Sequence, residues 1–288
     1  MSKTVSTLLD RTNLGEMTSW KVVSRSEVPG SILFEDAPIC PNLAQFNINH
    51  VGIMKAVAPY EIFRVNQSGT FMMACLSGVG EVLVDGKWRE VTAGQACLLP
   101  PFVTNAFRAK ENQTWTFAWV RYMEEENKKT IANTSSPVLG EYNSPALQQS
   151  ILGLRDELES NPSKYVLPAW VNLIHQQVLK FAKPSKLDQR LIKIFTEVSQ
   201  ALEKDWTLIE LAGIGNMSPE HLRRLSNQQL GRSPMQQLTF MRMMHAKNLL
   251  CNTDKTLSNI ANAVGYDSQF SFSNTFLKWI GCRPSEFR

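Results

Sequence analysis

Histidine is scarce in this sequence, and no apolar run is long enough to cross a membrane. Only four of the 288 residues are histidine, and just one of them, His50, lies in the first half of the chain. Protein sites for catalytic iron or zinc rely on clustered histidines with a carboxylate. We therefore expect no metal or other cofactor, no catalytic residue and no enzymatic activity. The apolar stretches fall short of the ~18 residues of a membrane span, and the N-terminus lacks the pattern of an export signal.

Cysteine is also sparse, with five residues that are scattered and never spaced as CxxC. An odd, dispersed set excludes a disulfide framework and a zinc ribbon, and it favours buried thiols in a reducing cytoplasm. The apolar fraction of 43% and the charged fraction of 19% are typical of a folded protein, long enough here for two domains.

The net charge of +4 is unevenly distributed. From Trp206 onward nine Lys and Arg face five Asp and Glu, which leaves 21 of each sign in residues 1–205. A local positive excess is typical of a surface that meets phosphates.

The same C-terminal segment, residues 206–288, contains an internal repeat. Ala212 and Ala261 are 49 residues apart, and three further pairs are each 50 apart: Leu222 with Phe272, Gly231 with Gly281, and Pro234 with Pro284. Each copy predicts a short helix, a turn and a second helix that begins at an N-cap, Ser218 in the first copy and Asp267 in the second. Such a second helix fits the major groove of DNA, and two of them can enter grooves about 34 Å apart.

Upstream, residues 50–122 alternate apolar and polar side chains in short runs, which predicts an antiparallel barrel or sandwich. Asp85-Gly86 predicts a tight hairpin turn. The predicted strands are Val51 to Val57, Tyr60 to Val65, Phe71 to Leu76, Glu81 to Val84, Trp88 to Val91, Gln95 to Leu99 and Trp115 to Val120.

Residues 141–184 have helical periodicity instead. The apolar stripe formed by Leu167, Val171, Ile174, Val178 and Phe181 has two interpretations: it packs on the barrel, or it pairs with the same stripe of a second copy. Lys183-Pro184-Ser185 ends this helix, and Leu187 begins the next one.

Residues 206–288 resemble the DNA-binding domain of the AraC/XylS family of transcription regulators over their whole length. The motifs that carry the resemblance are Leu211-Ala212, Met217-Ser218-Pro219, His221 to Leu225, Gly231 to Pro234, Arg242, Ile260-Ala261, Val264-Gly265-Tyr266, Phe272, Phe276, Gly281 and Pro284 to Arg288. The upstream half resembles, more loosely, the cupin-like sensor domain of the sugar-responsive branch. The resemblance implies a mixed fold class: an all-β cupin-like barrel, or double-stranded β-helix (1–140), a helical linker or dimerisation segment (141–184) and an all-α domain with two helix-turn-helix motifs (185–288).

The resemblance also implies functional residues. Arg223 and Arg224 fall on its DNA-facing side, and Arg64, Asn105, Phe107 and Trp119 fall on its pocket strands, with Trp115 and Trp88 as further candidates. We call the second helix of each motif its reader. Helical spacing adds the other outward-facing positions of the two readers, namely Ser218, Glu220, His221, Gln269, Phe270, Ser271, Ser273 and Asn274.

Four further predictions concern single residues of this domain. Asn274 occupies a position where the family often has Arg, which predicts a weaker DNA contact by the second motif. Ser226 corresponds in the repeat to the apolar Phe276, which predicts looser packing of the first motif. Met235, Leu238, Met241 and Met244 are expected to form the buried side of the linker helix. Arg242 is expected in a buried ion pair or at a phosphate.

We interpret the sequence as a cytoplasmic transcription regulator that binds double-stranded DNA and a small-molecule effector, with a carbohydrate as the expected class. A homodimer and a contact with RNA polymerase are the expected protein partnerships. Two alternatives stay open: a cupin-type metalloenzyme fused to a DNA-binding domain, and a ligand-independent regulator whose barrel only dimerises.

Overall fold

The structure is a computed structural model that describes residues 10–65, 67–125, 130–132, 137–160, 162–182 and 188–288. The helix break predicted at Lys183-Pro184-Ser185 and the start predicted at Leu187 lie outside these residues. Two compact units are present, one formed by residues 11–83 and 88–184 and the other mainly by residues 185–288.

The first unit contains a ten-stranded antiparallel sheet with the order β1-β4-β8-β5-β9-β3-β2, in which β6 and β7 also pair with β5, and β10 pairs with β7. Together the strands form a cupin-like half-barrel. Their bounds are β1 Arg11–Asn13, β2 Ser19–Ser24, β3 Ile48–Val57, β4 Glu61–Arg64, β5 Phe71–Val84, β6 Lys87–Thr92, β7 Gln95–Leu99, β8 Asn105–Ala109, β9 Thr114–Tyr122 and β10 Val138–Glu141. Two short 3-10 turns, Ile32–Phe34 and Pro41–Phe46, precede β3.

Strand β5 joins the two halves of the sheet. Two separate strands were predicted here, and that prediction was wrong, because the chain continues from Phe71 to Val84 with a register shift between Cys75 and Ser77. Gly78 makes the bend possible: it has a φ of +74°, and a Cβ at this position would collide with the carbonyl oxygen of Thr114. The N-terminal part of β5 pairs with β7 and β9, and its C-terminal part pairs with β8.

The tight turn predicted between β5 and β6 is confirmed. Asp85 and Gly86 both adopt positive φ angles, 48° and 75°, which a two-residue hairpin turn of this kind requires.

One face of the sheet packs against two helices, α1 Ser144–Glu159 and α2 Val166–Ala182. Val171, Ile174 and Val178 of α2 are completely buried in this core, together with residues of β3, β5 and β9. The predicted apolar stripe is thus occupied within its own unit, so the interpretation in which these side chains pair with a second copy is wrong. Gly153 allows the two helices to approach closely, because a Cβ there would overlap the Trp170 ring.

The second unit is helical, and its core is built around a repeated motif. The helices are α3 Gln189–Gln200, α4 Leu208–Ile214, α5 Pro219–Leu230, α6 Pro234–Asn252, α7 Leu257–Ala263, α8 Gln269–Ile280 and α9 Pro284–Phe287. Helix α6 contacts the helices of both motifs and has 19 residues, about 28 Å at 1.5 Å per residue.

The repeat extends to the ends of the helices. Thr207 and Thr256 cap the first helices, Ser218 and Ser268 cap the second helices, and both second helices end at a glycine with positive φ. The N-cap predicted at Asp267 was wrong. The loop between α7 and α8 is one residue longer than the loop between α4 and α5, so the hydroxyl of Ser268 caps α8 instead.

Two predictions for the second unit also need correction. Met235 is 38% exposed, Met241 and Met244 are only partly buried, and Met243 is the methionine that lies in the core of α6. Packing at Ser226 is not loose, because the side chain is completely buried and its hydroxyl donates to the carbonyl of Arg232 at 2.7 Å.

The ion pair expected for Arg242 is not found among the described residues, and the alternative, a phosphate contact, stays a prediction. Its Nε donates to the carbonyl of Leu202 at 2.9 Å, and its Nη2 donates to the carbonyl of Lys204 at 2.8 Å. Arg242 thereby fastens α6 to the loop that precedes the first motif.

A search of the helices in the described ranges finds none that is both long and apolar enough to cross a membrane.

Candidate nucleic-acid interface and effector site

Helix α5 is the recognition helix of the first motif. The hydroxyl of Ser218 accepts from the backbone N–H of His221 at 3.2 Å, and Pro219 follows at the first helical position, where a missing N–H costs nothing. Leu222 and Ser226 face the core. The outer surface is formed by Glu220, Arg223 and Arg224, which are exposed, with His221 partly exposed at the side. The sequence-predicted reading residues of this helix therefore form one surface.

Helix α8 is the recognition helix of the second motif. The hydroxyl of Ser268 accepts from the N–H groups of Phe270 and Ser271, at 3.2 and 3.4 Å. Phe272 and Phe276 are completely buried. Four predicted reading residues are exposed and one, Ser273, is partly buried at the flank; the exposed residues are Gln269, Phe270, Ser271 and Asn274.

The two outer surfaces differ in charge. The surface of α5 carries two arginines and one glutamate, whereas the predicted reading residues of α8 carry no charge. A guanidinium can donate two hydrogen bonds to guanine or grip a phosphate, whereas glutamine and asparagine amides match adenine. The two helices therefore offer different chemistry to a major groove.

The second candidate site is the inner face of the half-barrel, which is lined with aromatic rings. Trp115, Phe117 and Trp119 alternate along β9 and so lie on one face, with less than 3% of each side chain exposed. The ring centroids of Trp115 and Phe117 are 4.3 Å apart, and Phe107 of β8 lies 6.4 Å from each of them. Phe71 stacks on Phe107 at 5.4 Å. Trp115 also covers Gly80, where a Cβ would collide with its indole.

Asn105 is a polar group on the same face as Phe107, because the two residues are two positions apart on β8. Its side chain is completely buried, and Nδ2 donates to the carbonyl of Pro100 at 2.9 Å. That bond fixes the orientation of the amide, and Oδ1 is left without a hydrogen-bond partner in the described structure. A buried acceptor in this state costs about 1–3 kcal/mol.

Trp119 makes the second polar contact of this face. Its indole N–H donates to Nδ1 of His50 at 2.8 Å, and the His50 ring meets Phe34 edge to face. Burial, with the nearby positive charge of Arg121, lowers the pKa of His50 to about 3. His50 is therefore neutral at pH 7, as an acceptor of the indole N–H must be.

The structure does not bring the other two pocket candidates into this aromatic group. Arg64 donates to the backbone carbonyl of Arg11 at 2.8 Å and to the hydroxyl of Thr12 at 2.7 Å, so its guanidinium holds β1. Trp88 is partly exposed on β6, where the guanidinium of Arg108 lies 4.2 Å from its ring centre.

Within the ranges that the structure describes, no three His, Cys, Asp or Glu side chains are grouped so that they could hold a metal ion.

Comparison with known proteins identifies both halves of the chain. Residues 211–288 match the family described as a helix-turn-helix domain, and residues 71–169 match the AraC-like ligand binding domain. The chain belongs to the AraC family of transcription regulators. As a member of this family it is a DNA-binding regulator with a ligand-binding domain, and the homologues are named as transcription regulators.

Relatives of this AraC-family chain include two regulators of sugar operons. The lactose operon transcription activator of Staphylococcus xylosus is 26% identical over 88% of this chain and 94% of that protein. The arabinose operon regulatory protein of Escherichia coli strain K12 is also 26% identical, over 78% of this chain and 82% of that protein. Among solved structures, ToxT from Vibrio cholerae aligns with 94% of this chain and 96% of its own, at 13% identity and a TM-score of 0.41.

Several residues of the inner face were missed in the sequence analysis of this regulator. Phe117 and Arg121 lie on the same side of β9 as Trp115 and Trp119, and the two-residue period of a strand was sufficient to find them. Tyr60, Phe71 and His50 come from three other strands or their ends. No local pattern indicates that they meet the rings of β8 and β9.

Proposed function

We propose that this AraC-family regulator acts in the bacterial cytoplasm, where promoters lie, and responds to a carbohydrate that binds the inner face of the half-barrel. A sugar ring presents apolar C–H faces and a rim of hydroxyl groups, so it needs aromatic rings beside well-placed hydrogen-bonding groups. Phe107, Trp115 and Trp119 supply the rings. The names of the two relatives, as regulators of lactose and arabinose operons, support the same class of effector.

The single observation that carries the proposal is the buried Oδ1 of Asn105. Because Nδ2 is engaged by Pro100, only a donor from outside the described contacts can satisfy this oxygen. A ligand hydroxyl is such a donor. The hydrogen bond would remove an existing penalty, and selectivity for a hydroxylated ligand over a deoxy analogue follows.

Thermal unfolding in the presence of a panel of mono- and disaccharides tests the proposal. A sugar that binds only the folded protein stabilises it by about 2.7 kcal/mol at one hundred times its Kd. We expect one sugar class to raise the Tm of the wild type and to have little effect on Asn105→Ala.

Ser144→Ala is the matched control, because Ser144 also has a buried side-chain oxygen without a partner but lies at the start of α1. It should respond to the sugar like the wild type. A panel in which no sugar shifts the Tm of the wild type would exclude carbohydrate as the effector.

We further propose that the reading surface for DNA consists of the outward residues of the two recognition helices. They are Ser218, Glu220, His221, Arg223, Arg224, Gln269, Phe270, Ser271, Ser273 and Asn274. The exposure of Arg223 and Arg224 on one helix, in the part of the chain with the positive excess, supports this assignment.

A homodimer would place one pair of recognition helices on each of two half-sites, and we propose that residues 141–184 provide its interface. The stripe of α2 that was first considered is buried, but the segment also carries three exposed apolar side chains. Tyr165, just before α2, is 78% exposed, and Val166 and Leu173 on α2 are 39% and 41% exposed. Leu173→Asp should lower the dimer fraction in sedimentation analysis without unfolding the protein, whereas a wild type that sediments as a monomer would contradict the proposal.

We propose that the effector binds two arrangements of the dimer with different affinities and so shifts the population between them. The two arrangements then occupy different pairs of half-sites. Contact with RNA polymerase is the expected route from an occupied half-site to altered transcription.

A further inference from the structure

Phe270 is a large apolar side chain in an unusual position. It lies at the second position of recognition helix α8 and is 76% exposed, whereas Phe272 and Phe276 of the same helix are completely buried. In the repeat, its counterpart at the second position of α5 is Glu220, a residue that suits a helix N-terminus. Isolated exposed apolar residues are common and need no explanation, so the location of Phe270 must carry the argument.

That location is the part of the helix that meets bases. Residues in the first turns of a recognition helix contact base edges when the helix enters the major groove. Phe270 and Asn274 are four positions apart, so they lie one above the other on the exposed side. The backbone at Phe270 is held in place, because its N–H donates to the Ser268 hydroxyl at 3.2 Å.

The chemistry of the side chain then limits what it can read. A phenyl ring has no hydrogen-bond donor or acceptor, so it cannot pair with a phosphate or with a polar base edge. The major groove has one apolar feature, the C5-methyl group of thymine, and phenylalanine is among the side chains that contact it. We propose that Phe270 recognises the methyl group of a thymine in the DNA element bound by α8. This inference rests on the proposed reading surface.

The neighbouring residues make the preference more specific. The exposed amides of Gln269 and Asn274 match adenine, which offers an acceptor at N7 and a donor at N6. The outer surface of α8 thus favours A·T pairs, while the arginines of α5 favour guanine. The full site should therefore contain a guanine-bearing element and an A·T-rich element, about one helical turn apart.

Thymidine and deoxyuridine differ only in this methyl group, which allows a direct test. A DNA site would first be selected from a random duplex library with the full-length protein. Each thymine of that site would then be replaced by deoxyuridine, and the Kd measured for the wild type and for Phe270→Ala. We expect one thymine whose replacement weakens binding by the wild type about three- to five-fold, the effect of losing contact with one methyl group.

The same replacement should leave the affinity of Phe270→Ala unchanged, and Phe270→Leu should keep part of the sensitivity because it is still apolar. Ile209→Ala is the matched control: Ile209 is 75% exposed but lies on α4, outside both recognition helices, so this variant should keep the full sensitivity.

A bound site that is insensitive to deoxyuridine at every position, or equally sensitive in the wild type and Phe270→Ala, would overturn the inference and leave the reading surface as a whole intact. An exposed phenylalanine that instead contacts another protein would give the same negative result. Failure to select any DNA would contradict the proposed function itself.

Discussion

The two helix-turn-helix motifs share a framework and differ in the surface that it presents. Both have a seven-residue first helix and a twelve-residue recognition helix, and a serine caps each recognition helix. On the outside, Arg224 of the first motif corresponds to Asn274 of the second, and Glu220 corresponds to Phe270. The comparison teaches that the helix ends and the core determine the shape of each motif, while a few exposed positions determine which side chains it presents.

The cores of the two motifs also differ in side-chain size. The buried position of Ser226 in the first motif is that of Phe276 in the second, and the residue after the terminal glycine is the large Arg232 in one and Cys282 in the other. Phe276 belongs to a chain of ring contacts that runs from Phe272 at 5.7 Å to Phe287 at 5.5 Å. Ser226 instead forms a hydrogen bond with the backbone. Equivalent helices are thus stabilised by different interactions.

Exchange of the two buried residues, Ser226 and Phe276, between the motifs is expected to have the largest effect on stability. Phe276→Ser removes a buried ring and leaves a cavity, so the free energy of unfolding should fall by about 3–5 kcal/mol. Ser226→Phe places a ring where none fits, and a loss of about 3 kcal/mol is expected. Urea unfolding followed by circular dichroism measures both. Ser226→Ala is the control and should cost only about 1 kcal/mol for the lost hydrogen bond.

The next prediction concerns the charge difference between the two recognition helices, at the equivalent positions Arg224 and Asn274. Arg224→Ala should weaken binding to a selected DNA site by about 1–3 kcal/mol and should reduce the slope of log K against log salt by about one if the guanidinium meets a phosphate. Asn274→Ala, at the equivalent position, should weaken binding without a change in slope. Fluorescence anisotropy titrations at several salt concentrations distinguish the two. Equal slopes for the two variants would show that the first reader carries no additional phosphate contact.

Substitution of the N-cap candidates of α8 gives the smallest expected effect. It tests whether Ser268 or Asp267 caps this helix. Ser268→Ala should lower the free energy of unfolding by about 1 kcal/mol, because two backbone N–H groups lose their acceptor. Asp267→Ala should change it by a few tenths of a kcal/mol at most. Thermal unfolding of the two variants side by side measures the difference. A larger loss of stability for Asp267→Ala would show that Asp267 is the N-cap, as the sequence predicted.

Much of the second, helical unit could be predicted from the sequence because the patterns that determine it are local. Hydroxyl caps, the glycines that end the recognition helices and the apolar spacing of Leu222, Phe272 and Phe276 all act within one or two helical turns. The two errors differ in cause, because one is local and the other is tertiary. Asp267 and Ser268 are both good caps, and only the extra loop residue decides between them. Met243 rather than its neighbours lies in the core, because α6 must pack against helices of both motifs.

The sensor half was less predictable because its inner face is assembled from strands that are distant in sequence. Alternation identified β9, but it could not indicate that Phe107 meets its rings and that Phe71 stacks on Phe107. Nor could it indicate that Arg64 turns to β1 and Trp88 to Arg108.

The sequence by itself determined the order of the domains, the repeated reader and the residue types available on each recognition helix, because these depend on interactions along a few turns of chain. The tertiary structure alone decided what covers the apolar stripe of α2, which side of the sheet is lined with aromatic rings, and that Oδ1 of Asn105 lies among them without a partner in the described structure. The physical reason is that burial depends on the strands and helices that cover a residue, and those come from distant parts of the chain.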